Sequence, residues 1–244
     1  MNENNLYNPF KSLSLYGLDN YFDELTKLYN LKKFPKVLQL EGKKGSGKLT
    51  LINHVLNFIF SEGGYDLTKR IIDPNNKYYK QILEGIFENI VYIKNDGTTK
   101  VKMENIRALK NLVLKSTINN KPRFIIFDDV EKLSINTSNA LLKIIEEPSS
   151  NNYFILINNN QNSLIETISS RSLKIKIFLS ENNRIQIINS LISQHNIEPN
   201  LDFTKLKITP GQFLIFNKLC FDNSIDGNMP YISKINKLLN LYKK

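Results

Sequence analysis

The stretch Gly42-Lys43-Lys44-Gly45-Ser46-Gly47-Lys48-Leu49-Thr50 decides the fold. It lies between the apolar run Val37-Leu38-Gln39-Leu40 and a helical pattern at Leu51, Val55, Phe58 and Ile59, the strand, loop and helix setting of a phosphate-binding P-loop. The glycines let backbone N–H groups turn onto phosphate oxygens at a helix N-terminus, and Lys48 adds a cation. Gly42, Gly45, Gly47 and Lys48 are therefore candidate nucleotide-binding residues. The closing position departs from G-x-x-x-x-G-K-[ST]. Leu49 stands where a hydroxyl would ligate Mg²⁺, and Thr50 follows one residue late, about 100° further round the helix. Weak binding of ATP with Mg²⁺ is expected, with Thr50 the nearest hydroxyl.

Around this loop, short apolar strands alternate with helical patterns, the signature of an α/β fold: a three-layer αβα sandwich on a parallel sheet. Strands are expected at Val37–Leu40, Asn89–Ile93, Arg123–Asp128, Tyr153–Asn158 and Leu173–Phe178. Helices are expected at Asp19–Tyr29, Thr50–Ser61, Met103–Lys115 and Ile135–Ile145, the last stopped by Pro148. Gly63 to Pro74 and Asn95-Asp96-Gly97 read as loops. After Phe178 strand signals vanish, and helices are expected over Glu181–Gln194, Leu201–Leu206, Gly211–Phe221 and Pro230–Tyr242. The division is a P-loop domain over 1–178 and a small all-helical lid over 179–244.

Composition bounds the function. A chain of 244 residues with 41% hydrophobic content can bury a core. No apolar run is long enough to span a membrane. The single cysteine excludes an intrachain disulfide, and the absence of a charged-then-apolar leader points to a reducing, cytoplasmic setting. The two histidines, His54 and His195, lack companions at ligand spacing, so no metal site is expected from protein ligands. The net charge of +10 is compatible with DNA, but the lysines are scattered among many asparagines rather than gathered in one patch.

Three further segments carry chemistry. Phe124-Ile125-Ile126-Phe127-Asp128-Asp129 is an apolar strand ending in paired carboxylates. In P-loop proteins the first such carboxylate orients Mg²⁺ and its water, which suits Asp128. Asp129 is a weak candidate for the base that polarises water, being one methylene shorter than Glu; taken alone, such a pair is an ordinary solvated strand end. Asn158-Asn159-Asn160 follows another apolar strand, and Asn159 could bond a γ-phosphate or water; an asparagine-rich turn is the plainer reading. Ser169-Ser170-Arg171 precedes the last strand, where Arg171 is either a surface cation or an arginine finger.

The wording between these segments resembles the clamp-loader branch of the AAA+ ATPases. The residues that carry the likeness are Ser138-Asn139-Ala140-Leu141-Leu142-Lys143-Ile144-Ile145-Glu146-Glu147-Pro148, against N-A-L-L-K-x-L-E-E-P, and Thr167-Ile168-Ser169-Ser170-Arg171-Ser172, against T-I-x-S-R-C. Within that branch the pattern is most similar to delta-prime subunits of bacterial DNA polymerase III, in which the P-loop hydroxyl is also displaced. The likeness runs through residues 8–178 and weakens in the lid. It implies a subunit of an ATP-driven assembly that opens a sliding clamp and closes it around primed DNA, with motor and delta-type subunits as neighbours. It also implies little hydrolysis in the chain's own site and an Arg171 that acts in trans. Thr209-Pro210-Gly211-Gln212 looks like the family's S-P-G-R, with Gln212 where the phosphate-sensing arginine belongs. The family's cysteine-bound zinc module has no counterpart in residues 61–88, so no zinc is expected, and that stretch is expected to be held by Tyr78, Tyr79, Ile82 and Phe87. The family's collar domain is expected to be absent. Other readings are an active motor subunit, if a shifted helix start lets Thr50 reach Mg²⁺, and a sequence-independent DNA-binding module with a vestigial P-loop. A small-molecule kinase would leave the Glu-Glu-Pro and Ser-Arg segments without a role.

Overall fold

Alternate residues of the central strands feed two separate cores, as the two-residue period of a strand requires. In the computed structural model, which describes residues 8–95, 101–115, 117, 120–146 and 151–242, β1 spans Val37–Glu41, β5 Arg123–Asp128 and β6 Asn152–Asn158. Leu38, Leu40, Phe124, Ile126, Ile155 and Ile157 pack on one face against α1 (Asp19–Asn30) and α2 (Lys48–Phe60). Val37, Ile125, Phe127, Phe154 and Leu156 pack on the other against α4 (Met103–Val113) and α5 (Ile135–Ile145). The continuous apolar runs thus reflect burial on both sides, which makes the three-layer αβα sandwich.

The five-stranded parallel sheet has the order β4-β5-β6-β1-β7, with β4 at Ile90–Lys94 and β7 at Leu173–Lys176. β1 therefore sits between β6 and β7, with Leu38 opposite both Ile155 and Leu173. Its C-terminal end delivers the P-loop to the same edge as the ends of β5 and β6.

The stretch expected to be a bare loop carries structure. β2 (Tyr65–Asp66) pairs antiparallel with β3 (Ile71–Ile72), and α3 runs over Lys77–Glu84. Asn76 caps α3 by accepting from the Tyr78 N–H at 2.9 Å, and Gly85 closes it in the left-handed region. Aromatic packing holds this unit to the sheet domain, with Phe87 against Phe60 at 4.9 Å and against Tyr78 at 5.6 Å.

After the short α6 (Glu166–Ser169), three further helices form the lid: α7 (Glu181–His195), α8 (Pro210–Asp222) and α9 (Tyr231–Tyr242). Phe213 packs with Ile188 and Leu201, and Cys220 with Ile225 and Leu238. Leu201–Leu206 is not the helix its pattern suggests. The Asp202 carboxylate accepts from the Thr204 N–H at 3.1 Å and folds the segment into a turn, while Phe203 stacks edge-on against Phe213. Glu147, Pro148, Asp96 and Gly97 lie outside the described residues; α5 ends at Ile145.

Candidate functional site

α2 begins at Lys48 directly after Gly47, so its start is not shifted toward Thr50. Gly45 and Gly47 take φ values of +81° and +88°, a backbone that only glycine adopts freely and that bends the loop round the helix end. No side chain caps α2, which leaves its first N–H groups directed at the loop. Leu49 turns its side chain into the core, and Thr50 sits half-buried in the first helical turn. These features suit phosphate oxygens better than a metal ion, because the position that should offer a hydroxyl faces the interior.

The Lys48 ammonium is buried and donates to the carbonyls of Gly42 at 2.7 Å and Lys43 at 2.8 Å. Burial lowers its pKa to about 8, while Asp128, Glu131 and Asp129 pull in the opposite direction. It is a cation at neutral pH, set in a field of three carboxylates.

Those carboxylates are already engaged. Asp128 accepts from Tyr92 OH at 3.0 Å, from the Asp129 N–H at 3.0 Å and from Asn159 Nδ2 at 3.3 Å. Asp129 stands at φ +55°, in the left-handed region that Asp tolerates better than most residues. Its side chain is only 3% exposed, and one oxygen receives both Lys44 Nζ and Lys132 Nζ at 2.9 Å. Asn159 Nδ2 donates to the other oxygen. Burial pushes the Asp129 carboxyl up, but the bonds from Lys44, Lys132 and Asn159 outweigh it and hold it below the usual carboxylate range. A carboxylate so stabilised is a poor proton acceptor.

Lys44, Lys132 and Glu131 were not singled out by spacing. Glu131 is buried; one oxygen accepts the Asn159 N–H at 3.1 Å, and the other has no hydrogen-bond partner among the described residues. Its position three residues after Asp128 was the available signal. Gln212 bends back onto its own helix, where its carboxamide oxygen accepts from the Thr209 N–H at 2.9 Å.

Gly42, Gly45, Gly47, Lys48, Thr50, Asp128, Asp129 and Asn159 thus share one end of the sheet, whereas Arg171 lies at the other. Leu173 is level with Leu38, and Arg171 lies in the turn two residues before it, whereas Gly42 follows Leu38 by four residues, about 13 Å further along the strand. The Arg171 side chain is 43% exposed, and its guanidinium bonds Glu146 at 3.0 Å and the Thr167 carbonyl at 3.2 Å. The arginine cannot serve the P-loop of its own chain. Among the described residues no group of His, Cys, Asp and Glu could hold a metal ion, and no helix is long and apolar enough to cross a membrane.

The profile of a family described as "DNA polymerase III, delta subunit" matches residues 17–180. The delta' subunit of DNA polymerase III from Bacillus subtilis is 29% identical over 132 residues, 54% of this chain and 38% of that protein. The gamma subunit from Buchnera aphidicola is 27% identical over 162 residues, 65% of this chain and 43% of that protein. The chain spans less than half the length of these two relatives. A crystal structure of a DNA polymerase III gamma subunit-related protein from Thermotoga maritima shares the fold, with a TM-score of 0.51 and 15% identity over 90% of this chain and 78% of that one.

Proposed function

Because the chain belongs to the DNA polymerase III delta-subunit family, we propose that it acts in a clamp loader as a delta-prime-like stator, a subunit that does not hydrolyse ATP itself. In this reading it presents Arg171 to ATP held by a neighbouring motor subunit while a sliding clamp is placed on primed DNA, in the cytoplasm. The supporting observation is the division between the two ends of the sheet. At one end Asp129 is consumed by Lys44, Lys132 and Asn159. At the other, Arg171 is half-exposed and separated from its own P-loop by the length of β7. The chain's own site is then a weak phosphate binder, with Lys48 and the glycine loop as contacts and no rapid turnover.

The test is clamp-dependent ATP turnover by a loader reconstituted with this chain or its Arg171→Ala variant. An arginine finger contributes about 10³- to 10⁵-fold in rate to the site it serves, so turnover at that interface should fall by at least about 10²-fold. Unchanged turnover by an assembled complex would remove the finger from the reading. Phosphate release by the isolated chain at a motor-like rate would remove the stator.

A further inference from the structure

The lid touches the P-loop directly. Thr209 Oγ1 donates to the Lys44 carbonyl at 2.8 Å, and the Gly211 N–H donates to the Gly45 carbonyl at 2.9 Å. A Cβ on Gly211 would fall 2.6 Å from Gly45 Cα, and one on Gly45 would fall 2.5 Å from Thr209 Oγ1. Only glycine at both positions permits so close an approach. With Lys48 held by the carbonyls of Gly42 and Lys43, four successive peptides of the loop have their oxygens engaged. A loop that wraps a phosphate must instead turn those peptides so that N–H groups face the anion, and must release its lysine to the phosphate oxygens.

We propose that the start of α8 is a latch on the P-loop, and that a nucleoside triphosphate is admitted when Thr209–Gly211 lifts from Lys44 and Gly45. Lid position and phosphate affinity are then coupled through backbone hydrogen bonds, without a phosphate-sensing arginine. The inference rests on the P-loop being a weak phosphate site, and it is independent of Arg171. Apparent affinity equals the intrinsic affinity scaled by the unlatched fraction, so loosening the latch tightens binding. One hydrogen bond of ordinary strength corresponds to about 3- to 10-fold.

The measurement is fluorescence titration of the full chain with mant-ATP, with and without Mg²⁺, for the unaltered protein and for Thr209→Val and Gly211→Ala. The first variant removes a donor, and with it the α8 cap in which Thr209 Oγ1 accepts from the Gln212 N–H at 3.3 Å; the second inserts a Cβ between lid and loop while sparing that cap. Both should bind about 3- to 10-fold more tightly, with Gly211→Ala at least as strong, and should exchange the amide of residue 211, the latch's backbone donor, faster. If Gly211→Ala disrupts the lid by circular dichroism, Thr209→Val alone decides. Folded variants that bind no more tightly than the unaltered chain overturn the latch. That outcome, with Arg171→Ala still abolishing turnover in the complex, leaves the finger standing; tighter binding with no effect of Arg171→Ala leaves the latch and removes the finger.

Discussion

The ammonium of Lys44 lies 2.9 Å from the carboxylate of Asp129, so the middle of the P-loop is tied to the end of β5 by an ion pair within one chain. The side chain that the fold would offer as a base is a structural tether. Lys44 is 45% exposed and contributes modestly alone, but Asp129 is almost wholly buried and depends on its donors. Lys44→Met with Lys132→Met should therefore destabilise the sheet domain by about 2–3 kcal/mol in urea denaturation, each single change costing less than half of that.

The same carboxylate has a pH signature. Its folded pKa lies below the unfolded value, so its stabilisation is fully present above about pH 4 and is lost as pH falls through the folded pKa. In the double variant burial remains while two of the lowering contacts are gone. The carboxyl carbon of Asp129, followed by NMR, should then titrate above its position in the unaltered protein.

His54 works in the same sense, but over a higher pH range. Its Nε2 faces the Ser12 carbonyl at 3.2 Å, which can only accept, so Nε2 carries the proton and Nδ1 accepts from Tyr65 OH at 3.0 Å. Burial drives the imidazole down to about 3. Below the unfolded pKa of about 6.5 the unfolded chain binds a proton that the folded chain refuses, and stability falls as pH drops toward 3. This group alone should remove about 2 kcal/mol between pH 7 and pH 5. Denaturation of His54→Gln at both pH values should show a lower stability at pH 7 and a flatter decline.

Lys234 is buried in the lid, with its ammonium on the carbonyls of Asn200 at 2.6 Å and Gly227 at 2.7 Å. It pins the connection before α8 and the turn before α9 to the last helix. Lys234→Met preserves much of the volume but leaves both carbonyls without that donor, at a cost of about 2–3 kcal/mol. Hydrogen exchange should locate the loss in α9 and in residues 200–227, with β1, β5 and β6 unchanged.

Arg171→Ala should behave differently in isolation. Arg171 and Glu146 are both about half-exposed, and such pairs contribute under about 1 kcal/mol. The melting temperature of the isolated variant should stay within about 3 °C of the unaltered chain. A larger drop would mean that any loss of turnover in a complex reports misfolding.

Most of the sheet domain was legible because its strands are buried on both faces and therefore apolar end to end. Arg123–Asp128 and Ile135–Ile145 have the expected bounds. α3 was missed although Asn76 and Gly85 mark its ends, because the helix has only eight residues and buries Tyr79 alone, too little to display a helical period. Leu201–Leu206 misled because burial of alternate apolar residues does not require a helix when Asp202 supplies a local turn. That the loop, the carboxylates and Asn159 lie on one edge of the sheet was legible, since the strand ends of a parallel sheet converge there. The Lys44–Asp129 tether and the Gly45–Gly211 approach link residues far apart in the chain, and no local pattern encodes them.

The sheet order has a consequence for biogenesis. β1 hydrogen-bonds only to β6 and β7 among the described strands, although it precedes all of them in the chain. During synthesis Val37–Leu40 must wait as an unpaired apolar segment until residues up to Asn158 have left the ribosome, and pairing across such sequence separations is slow. Folding should therefore be late and cooperative, with the nascent chain dependent on chaperone shelter over most of its length. The P-loop, anchored to the end of β1, takes shape among the last features rather than the first.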